Sequence, residues 1–130
     1  MMLATAETAK TMPGTSDDGV FPTGREHLVL VGVTGWATGV ELTLGDAATV
    51  IGRSSTCDLQ LLDDHISRQH ARVSRVPDED RPGHSFVVIE DLKSRNGIRV
   101  NGRRVVRAVL DGGDMIHLGR STLRLDRRDD

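Results

Sequence analysis

Phe86-Val87-Val88-Ile89-Glu90-Asp91-Leu92-Lys93-Ser94-Arg95-Asn96-Gly97-Ile98-Arg99-Val100-Asn101-Gly102 is the stretch that decides the fold. Phe86 to Ile89 is a continuous apolar run of strand length, which suits a central strand. Polar residues and Asn96-Gly97 then break it. Ile98 and Val100 flank Arg99 with a period of two, and Asn101-Gly102 follows. Asn-Gly favours a type I′ hairpin turn, because both central residues need positive φ. Strand, turn, short alternating strand and turn in close succession predict β-structure with tight connections.

The same pattern extends in both directions. Upstream, His27 to Val31 is a β-rich run broken by Gly32 and Gly35. Val40, Leu42 and Leu44 alternate with polar residues, as do Leu59 with Leu61 and Ala71 with Val73. Thr49-Val50-Ile51 ends at Gly52. Downstream, Ile116 and Leu118 flank His117, and Leu123 and Leu125 flank Arg124. Pro82-Gly83 and Asp111-Gly112-Gly113 add turn signals. No segment of ten or more residues carries an apolar stripe of helical period. Many short strands at short spacing predict an antiparallel sandwich or barrel.

Composition bounds the function. The chain has 130 residues, 17 basic and 19 acidic side chains, and a formal net charge of −2. That balance speaks against a general nucleic-acid binder. Two Phe, one Trp and no Tyr speak against a base-stacking platform. A single Cys cannot form an internal disulfide, which favours a reducing, cytoplasmic setting. Leu28 to Val31 is far shorter than the roughly 20 apolar residues of a spanning helix, so no membrane association is expected. The start of the sequence lacks a basic-then-apolar leader pattern. Residues 1–24 are Thr-rich and show no apolar period, which predicts a flexible tail. Residues 25–126 form the expected domain, and 127–130 a charged frayed end.

Three polar clusters follow strand ends. They are Gly52-Arg53-Ser54-Ser55-Thr56-Cys57-Asp58, Ile66-Ser67-Arg68-Gln69-His70-Ala71, and Asp91-Leu92-Lys93-Ser94-Arg95-Asn96-Gly97. Loops at one end of a sandwich can converge into a site. An Arg clamps an anion through two parallel hydrogen bonds. A Ser hydroxyl adds a short donor, and an Asn amide both gives and accepts, so it can grip a peptide backbone. Together they suit a phosphate on an extended peptide. No general acid or metal cage stands out, so binding is expected rather than turnover.

The order Gly-Arg, then Ser67-Arg68-x-His70-Ala71, then Asp91-Leu92-x-Ser94-x-Asn96-Gly97 with Val100-Asn101-Gly102, resembles the forkhead-associated (FHA) domain. Leu110-Asp111-Gly112-Gly113-Asp114-Met115-Ile116-His117-Leu118-Gly119 continues the resemblance, which covers residues 27–126. It implies an all-β sandwich of two antiparallel sheets with about 10–11 strands. It further implies phosphothreonine recognition in partner proteins of Ser/Thr kinase signalling, with no catalysis, cofactor or metal. In that likeness Arg53 and Ser67 contact the phosphate. Arg68 adds a phosphate or peptide contact, and Asn96 holds the peptide backbone. Gly52 and His70 shape the site, and Gly97 and Asn101 occupy turn positions. Arg95 stands where many members carry Thr or Ser; it either adds charge to the site or points to solvent. Ile98 replaces a common Thr. His65 lies near where the family reads residues after the phosphothreonine.

Other readings of the same residues are weaker. Ser67 with His70 lacks the G-x-S-x-G surroundings of a hydrolase nucleophile. His65, His70, Cys57, Asp63 and Asp64 match no metal-ligand spacing. Asp91 and Asp114 read as loop-anchoring carboxylates. Lys93, Arg95, Arg99, Arg103, Arg104 and Arg107 form a run without an acid. It is either a solvated hairpin face or a positive field near the phosphate site, with its far end expected out of reach. Two alternative functions remain: a phosphate-independent scaffold, and a nucleic-acid binder using residues 93–107. Thr15, followed by Ser16, Asp17 and Asp18, is a candidate phosphorylated ligand for the site of its own chain or of a neighbouring copy.

Overall fold

The computed structural model describes residues 26–128. Eleven strands and one 3₁₀ turn make up the described chain, with no α-helix among the described residues. In chain order the strands are β1 (His27–Thr34), β2 (Glu41–Thr43), β3 (Thr49–Gly52), β4 (Leu59–Gln60), β5 (Ala71–Pro77) and β6 (Ser85–Asp91). They continue as β7 (Ile98–Val100), β8 (Arg103–Val105), β9 (Arg107–Leu110), β10 (Met115–Leu118) and β11 (Ser121–Arg128). The 3₁₀ turn, Gly35–Ala37, follows β1. One sheet has five strands in the order β9-β6-β5-β3-β4, and the other six in the order β2-β1-β11-β10-β7-β8. The all-β sandwich expected from the sequence is therefore present. Among the described residues no helix is long and apolar enough to cross a membrane.

Alternation explains which side chains fill the interior. Ile116 and Leu118 of β10 and Leu123 and Leu125 of β11 are fully buried, while Met115 and His117 between them are only half-buried. Val87 and Ile89 of β6, Ile51 of β3, Ile98 of β7 and Leu28 and Leu30 of β1 complete one apolar cluster. Burying a side chain of this kind contributes about 1.5–3 kcal/mol, so a dozen of them can hold two sheets together without any large ring. This core lies in residues 28–76 and 86–128. Residues 77–85, with Glu26 and His27, form a separate small unit closed by Asp78 N–H on the His84 carbonyl at 3.0 Å.

Two details differ from the sequence expectation. β3 and β4 pair in parallel, with Ile51 opposite Leu59 and Gly52 opposite Gln60. The connection through residues 53–58 is short for a parallel pair, and the pairing is limited to a β4 of two residues. Leu61, expected to extend that strand, leaves it and is buried in the core. The final strand continues past residue 126 to Arg128, whose Nη2 lies 3.3 Å from Asp126 and 3.5 Å from Glu41 of β2. The expected tail, residues 1–24, lies outside the described residues.

One buried carboxylate fixes the long loop between β4 and β5. Asp63 is 1% exposed. Its Oδ1 accepts the His65 N–H at 2.8 Å. Its Oδ2 accepts the Arg120 N–H at 2.7 Å and the Ser121 hydroxyl at 2.9 Å. The loop of one sheet is thereby tied to the β10–β11 turn of the other. Burial pushes the Asp63 carboxyl up, but the His65 and Arg120 amides, the Ser121 hydroxyl and the His65 ring together outweigh it and hold the carboxyl below the ordinary value. Hydrogen bonds to a charged group contribute about 1.5–3 kcal/mol each, so Asp63→Asn is expected to cost about 2–4 kcal/mol in urea denaturation at neutral pH. A depressed folded-state pKa gives stability that is full above the unfolded value, about pH 4, and fades as pH falls through the folded value. The gap between wild type and Asp63→Asn should therefore narrow in acid, and a gap independent of pH would contradict this account.

Candidate functional site

Three loops meet at one end of the five-stranded sheet. The first leaves β3 at Gly52. A Cβ at Gly52 would run into the Arg68 carbonyl oxygen and come within 2.9 Å of Cys57 Sγ, so only glycine lets the strand end pass this close. The two loops are then laced by backbone bonds: Arg53 N–H to the Ser67 carbonyl at 3.0 Å, and Ser54 N–H to the Arg68 carbonyl at 3.1 Å. Cys57 Sγ lies 3.0 Å from the Arg68 carbonyl and donates to it. Burial is the main cause that raises the Cys57 thiol above its ordinary pKa, with Asp58 adding to it against the Ser54 bond, which keeps the donor proton in place.

His70 joins the second and third loops. It is fully buried. Its Nδ1 accepts the Ser67 N–H at 3.0 Å, and its Nε2 lies 2.8 Å from the Gly97 carbonyl. A carbonyl only accepts, so Nε2 carries the proton and Nδ1 does not, which assigns the neutral tautomer. The His70 carbonyl in turn accepts the Leu92 N–H at 2.9 Å. Inside the third loop, Asp91 Oδ1 accepts Ser94 N–H at 3.2 Å, and Ser94 Oγ accepts Gly97 N–H at 2.9 Å. Lys93 has a φ of 57°, in the left-handed region that a side chain enters at a cost of about 1–3 kcal/mol.

These supports leave a defined set of donors facing outward. Arg53 is exposed, and only its Nε is used, donating to the Ile66 carbonyl at 3.1 Å. A guanidinium has five N–H groups in a planar fork, so both terminal nitrogens remain available for an anion. Ser67 Oγ accepts the Arg95 N–H at 2.9 Å. That bond uses a lone pair and leaves the hydroxyl proton free to donate. Asn96 Nδ2 donates to the His65 carbonyl at 2.8 Å, which bridges the loops and leaves its own oxygen as an acceptor. Arg68 and Arg95 are exposed. Among the described residues, Arg53, Arg68 and Arg95 have no carboxylate partner. The result is a concentration of positive charge in which the Arg53 guanidinium is held by a backbone carbonyl.

The sequence matches the family model for the FHA domain over residues 49–119. The chain belongs to the FHA domain family. This FHA domain is 34% identical over 104 residues to the FHA domain-containing protein FhaB of Mycolicibacterium smegmatis, covering 78% of this chain and 63% of FhaB. The chain thus spans less than two thirds of that relative. Among solved structures, one described as a structural and functional analysis of phosphothreonine-dependent FHA domain interactions superposes with a TM-score of 0.66 at 28% identity, over 77% of this chain and 95% of that one. EmbR of Mycobacterium tuberculosis, in complex with a low-affinity phosphopeptide, gives 0.64 at 30% identity, over 77% of this chain and 24% of EmbR.

Most of the sequence-derived site residues converge in this FHA domain, and one does not. Gly52, Arg53, Ser67, Arg68, His70, Arg95, Asn96 and Gly97 all lie in the three interlaced loops. Asn101 belongs elsewhere. Its Oδ1 accepts Met115 N–H, and its Nδ2 donates to Asp114, both at 2.9 Å, so it anchors the β7–β8 hairpin. Asp114 also accepts the Asp111 N–H, which makes it the loop anchor expected. Asn96-Gly97 is not a hairpin turn: only Gly97 has positive φ, and the loop carries the chain from one sheet to the other. Asn101-Gly102, at φ of 52° and 82°, does form the two-residue hairpin. Ser94 and Asp63 were missed as supports, and nothing in the sequence singled out Arg104 as a neighbour of this loop. A Cβ on Gly97 would come within 2.8 Å of Arg104 Nε and Nη2, so the guanidinium lies against that loop. No group of three or more metal-ligating side chains occurs among the described residues.

Removing His70 leaves Ser67 N–H and the Gly97 carbonyl without partners and opens a hole in a buried position. His70→Ala is expected to lower stability by about 3 kcal/mol or more, read as a lower urea midpoint with little change in slope. An unchanged midpoint would show that the two loops hold their positions without the imidazole.

Proposed function

We propose that this FHA domain binds phosphothreonine in partner proteins and serves as a non-catalytic adaptor in Ser/Thr kinase signalling. The observation that carries the reading is an Arg53 whose two terminal nitrogens are unused, on a loop laced to that of a Ser67 hydroxyl whose lone pair is already occupied by Arg95 N–H. A phosphate offers strong acceptors and about −1.5 to −2 charge, and needs this kind of donor set. In this reading Arg53, Ser67 and Arg68 take the phosphate, with Arg95 adding charge, and Asn96 exchanges its bond to His65 for one to the peptide backbone. Family membership supports it, since the FHA domain is an interaction module rather than an enzyme. A cytoplasmic setting fits the single Cys thiol. Thr15, with Asp17 and Asp18 after it, is a candidate ligand from the same chain. Its phosphorylation should then move the NMR signals of Ser67 and Asn96.

Calorimetry with matched peptides carrying Thr, phosphothreonine or phosphoserine tests the proposal. Phosphothreonine should bind and Thr should not. Arg53→Ala should weaken binding about 10- to 150-fold, the value of one charge-assisted contact. The methyl of phosphothreonine alone accounts for about fourfold over phosphoserine, from about 0.8 kcal/mol. Equal affinity for Thr and phosphothreonine, or normal binding by Arg53→Ala, would refute the assignment.

A further inference from the structure

The six bases between Lys93 and Arg107 are not equivalent. Arg107 faces a carboxylate, with Nε 3.9 Å from Glu90 Oε2. Arg99 and Arg104 have no carboxylate partner among the described residues, yet they stand directly opposite each other on β7 and β8. Like charges in that position destabilise a sheet. On the other side of Arg99, His117 of β10 is the directly opposed residue, and it brings no negative charge. The row Arg104, Arg99, His117 thus crosses three adjacent strands without an acid. Other carboxylates of the same sheet are taken: Asp126 by Arg124 at 2.7 Å, and Glu41 by Arg128 at 3.5 Å. Water and salt screen an exposed pair of this kind in part, and an anion from outside relieves it further.

A second observation puts the row beside the three-loop site. The Arg104 guanidinium lies against Gly97, next to Asn96, and the Gly97 carbonyl is the one His70 holds. We propose that Arg104 and Arg99 form a second anion subsite, which binds acidic side chains flanking the phosphothreonine of the same partner segment. The inference rests on the phosphothreonine reading and names the class of partner: phosphothreonine in an acidic stretch. An Arg fork matches a carboxylate in two parallel bonds, so two arginines side by side suit two acids. Nucleic acid fits less well, because the chain is net negative and the row includes no ring on which a base could stack other than His117.

The test uses the full chain and three phosphothreonine peptides: one neutral, one with Glu residues before the phosphothreonine, one with Glu residues after it. One acidic peptide should bind about 2- to 30-fold more tightly than the neutral one, the sum of two exposed ion pairs. The advantage should shrink as salt rises. Arg99→Gln with Arg104→Gln should erase it while the neutral peptide keeps its affinity. Arg99→Gln alone, which leaves the Gly97 contact intact, should erase part of it. Equal binding of all three peptides by the wild type overturns the subsite and leaves the phosphothreonine reading standing. Equal loss of neutral and acidic peptides in the variants also overturns it, since Arg104 would then only brace the loop. If no phosphopeptide binds at all, both readings fall. Duplex DNA binding that the two substitutions abolish, with the peptides equal, would assign the row to nucleic acid instead.

Discussion

One imidazole sets the geometry on which the rest of the binding end depends. His70 must accept at Nδ1 and donate at Nε2, and its two partners belong to different loops. The bond to Ser67 N–H fixes the residue whose hydroxyl faces outward. The bond to the Gly97 carbonyl fixes the residue after Asn96. A single neutral side chain thereby spaces a hydroxyl and an amide that are 29 positions apart in sequence. No Lys or Arg could replace it, since neither can accept. Asn or Gln could both give and accept, but from a different shape, and the buried position leaves little room to adjust.

Around that imidazole the structure separates support from contact. Backbone groups and buried or half-buried side chains do the holding: the Asp63 carboxylate, the Ser94 hydroxyl, the carbonyls of Ile66 and Arg68. Exposed side chains are left with unused donors. The division matters because a donor already aligned loses less freedom when a ligand arrives. It also places polar atoms at the end of the sandwich, where strands run out and backbone groups need partners anyway.

Much of this was legible in the sequence, for physical reasons that can be stated. Period two reveals a strand that is buried on one face, and β10 and β11 read correctly because each places one face on the core. Asn101-Gly102 read correctly as a hairpin because its φ values are a local property. The parallel pairing of β3 and β4 was not legible, since a two-residue strand has no period to read. Asp63 looked like one more loop acid because its partners, Arg120 and Ser121, lie 57 and 58 residues away. Lys93 gave no sign of its left-handed backbone, which neighbours impose on it. The place of Arg104 beside Gly97 was not legible, because sequence counts residues along the hairpin, whereas the pairing of β7 with β8 folds it back.

The Asp63 bridge has a consequence for how such a module is made. It joins chain segments separated by nearly half the sequence, and the His70 bridge, nested within that span, joins residues 27 apart. Contacts of that separation form more slowly than local ones. Recognition therefore cannot precede folding, and no short excerpt of the chain inherits it. A newly synthesised chain would remain blind to its partner until residue 121 has emerged and docked. Transplanting the polar loops onto another scaffold would carry over their composition without their aim.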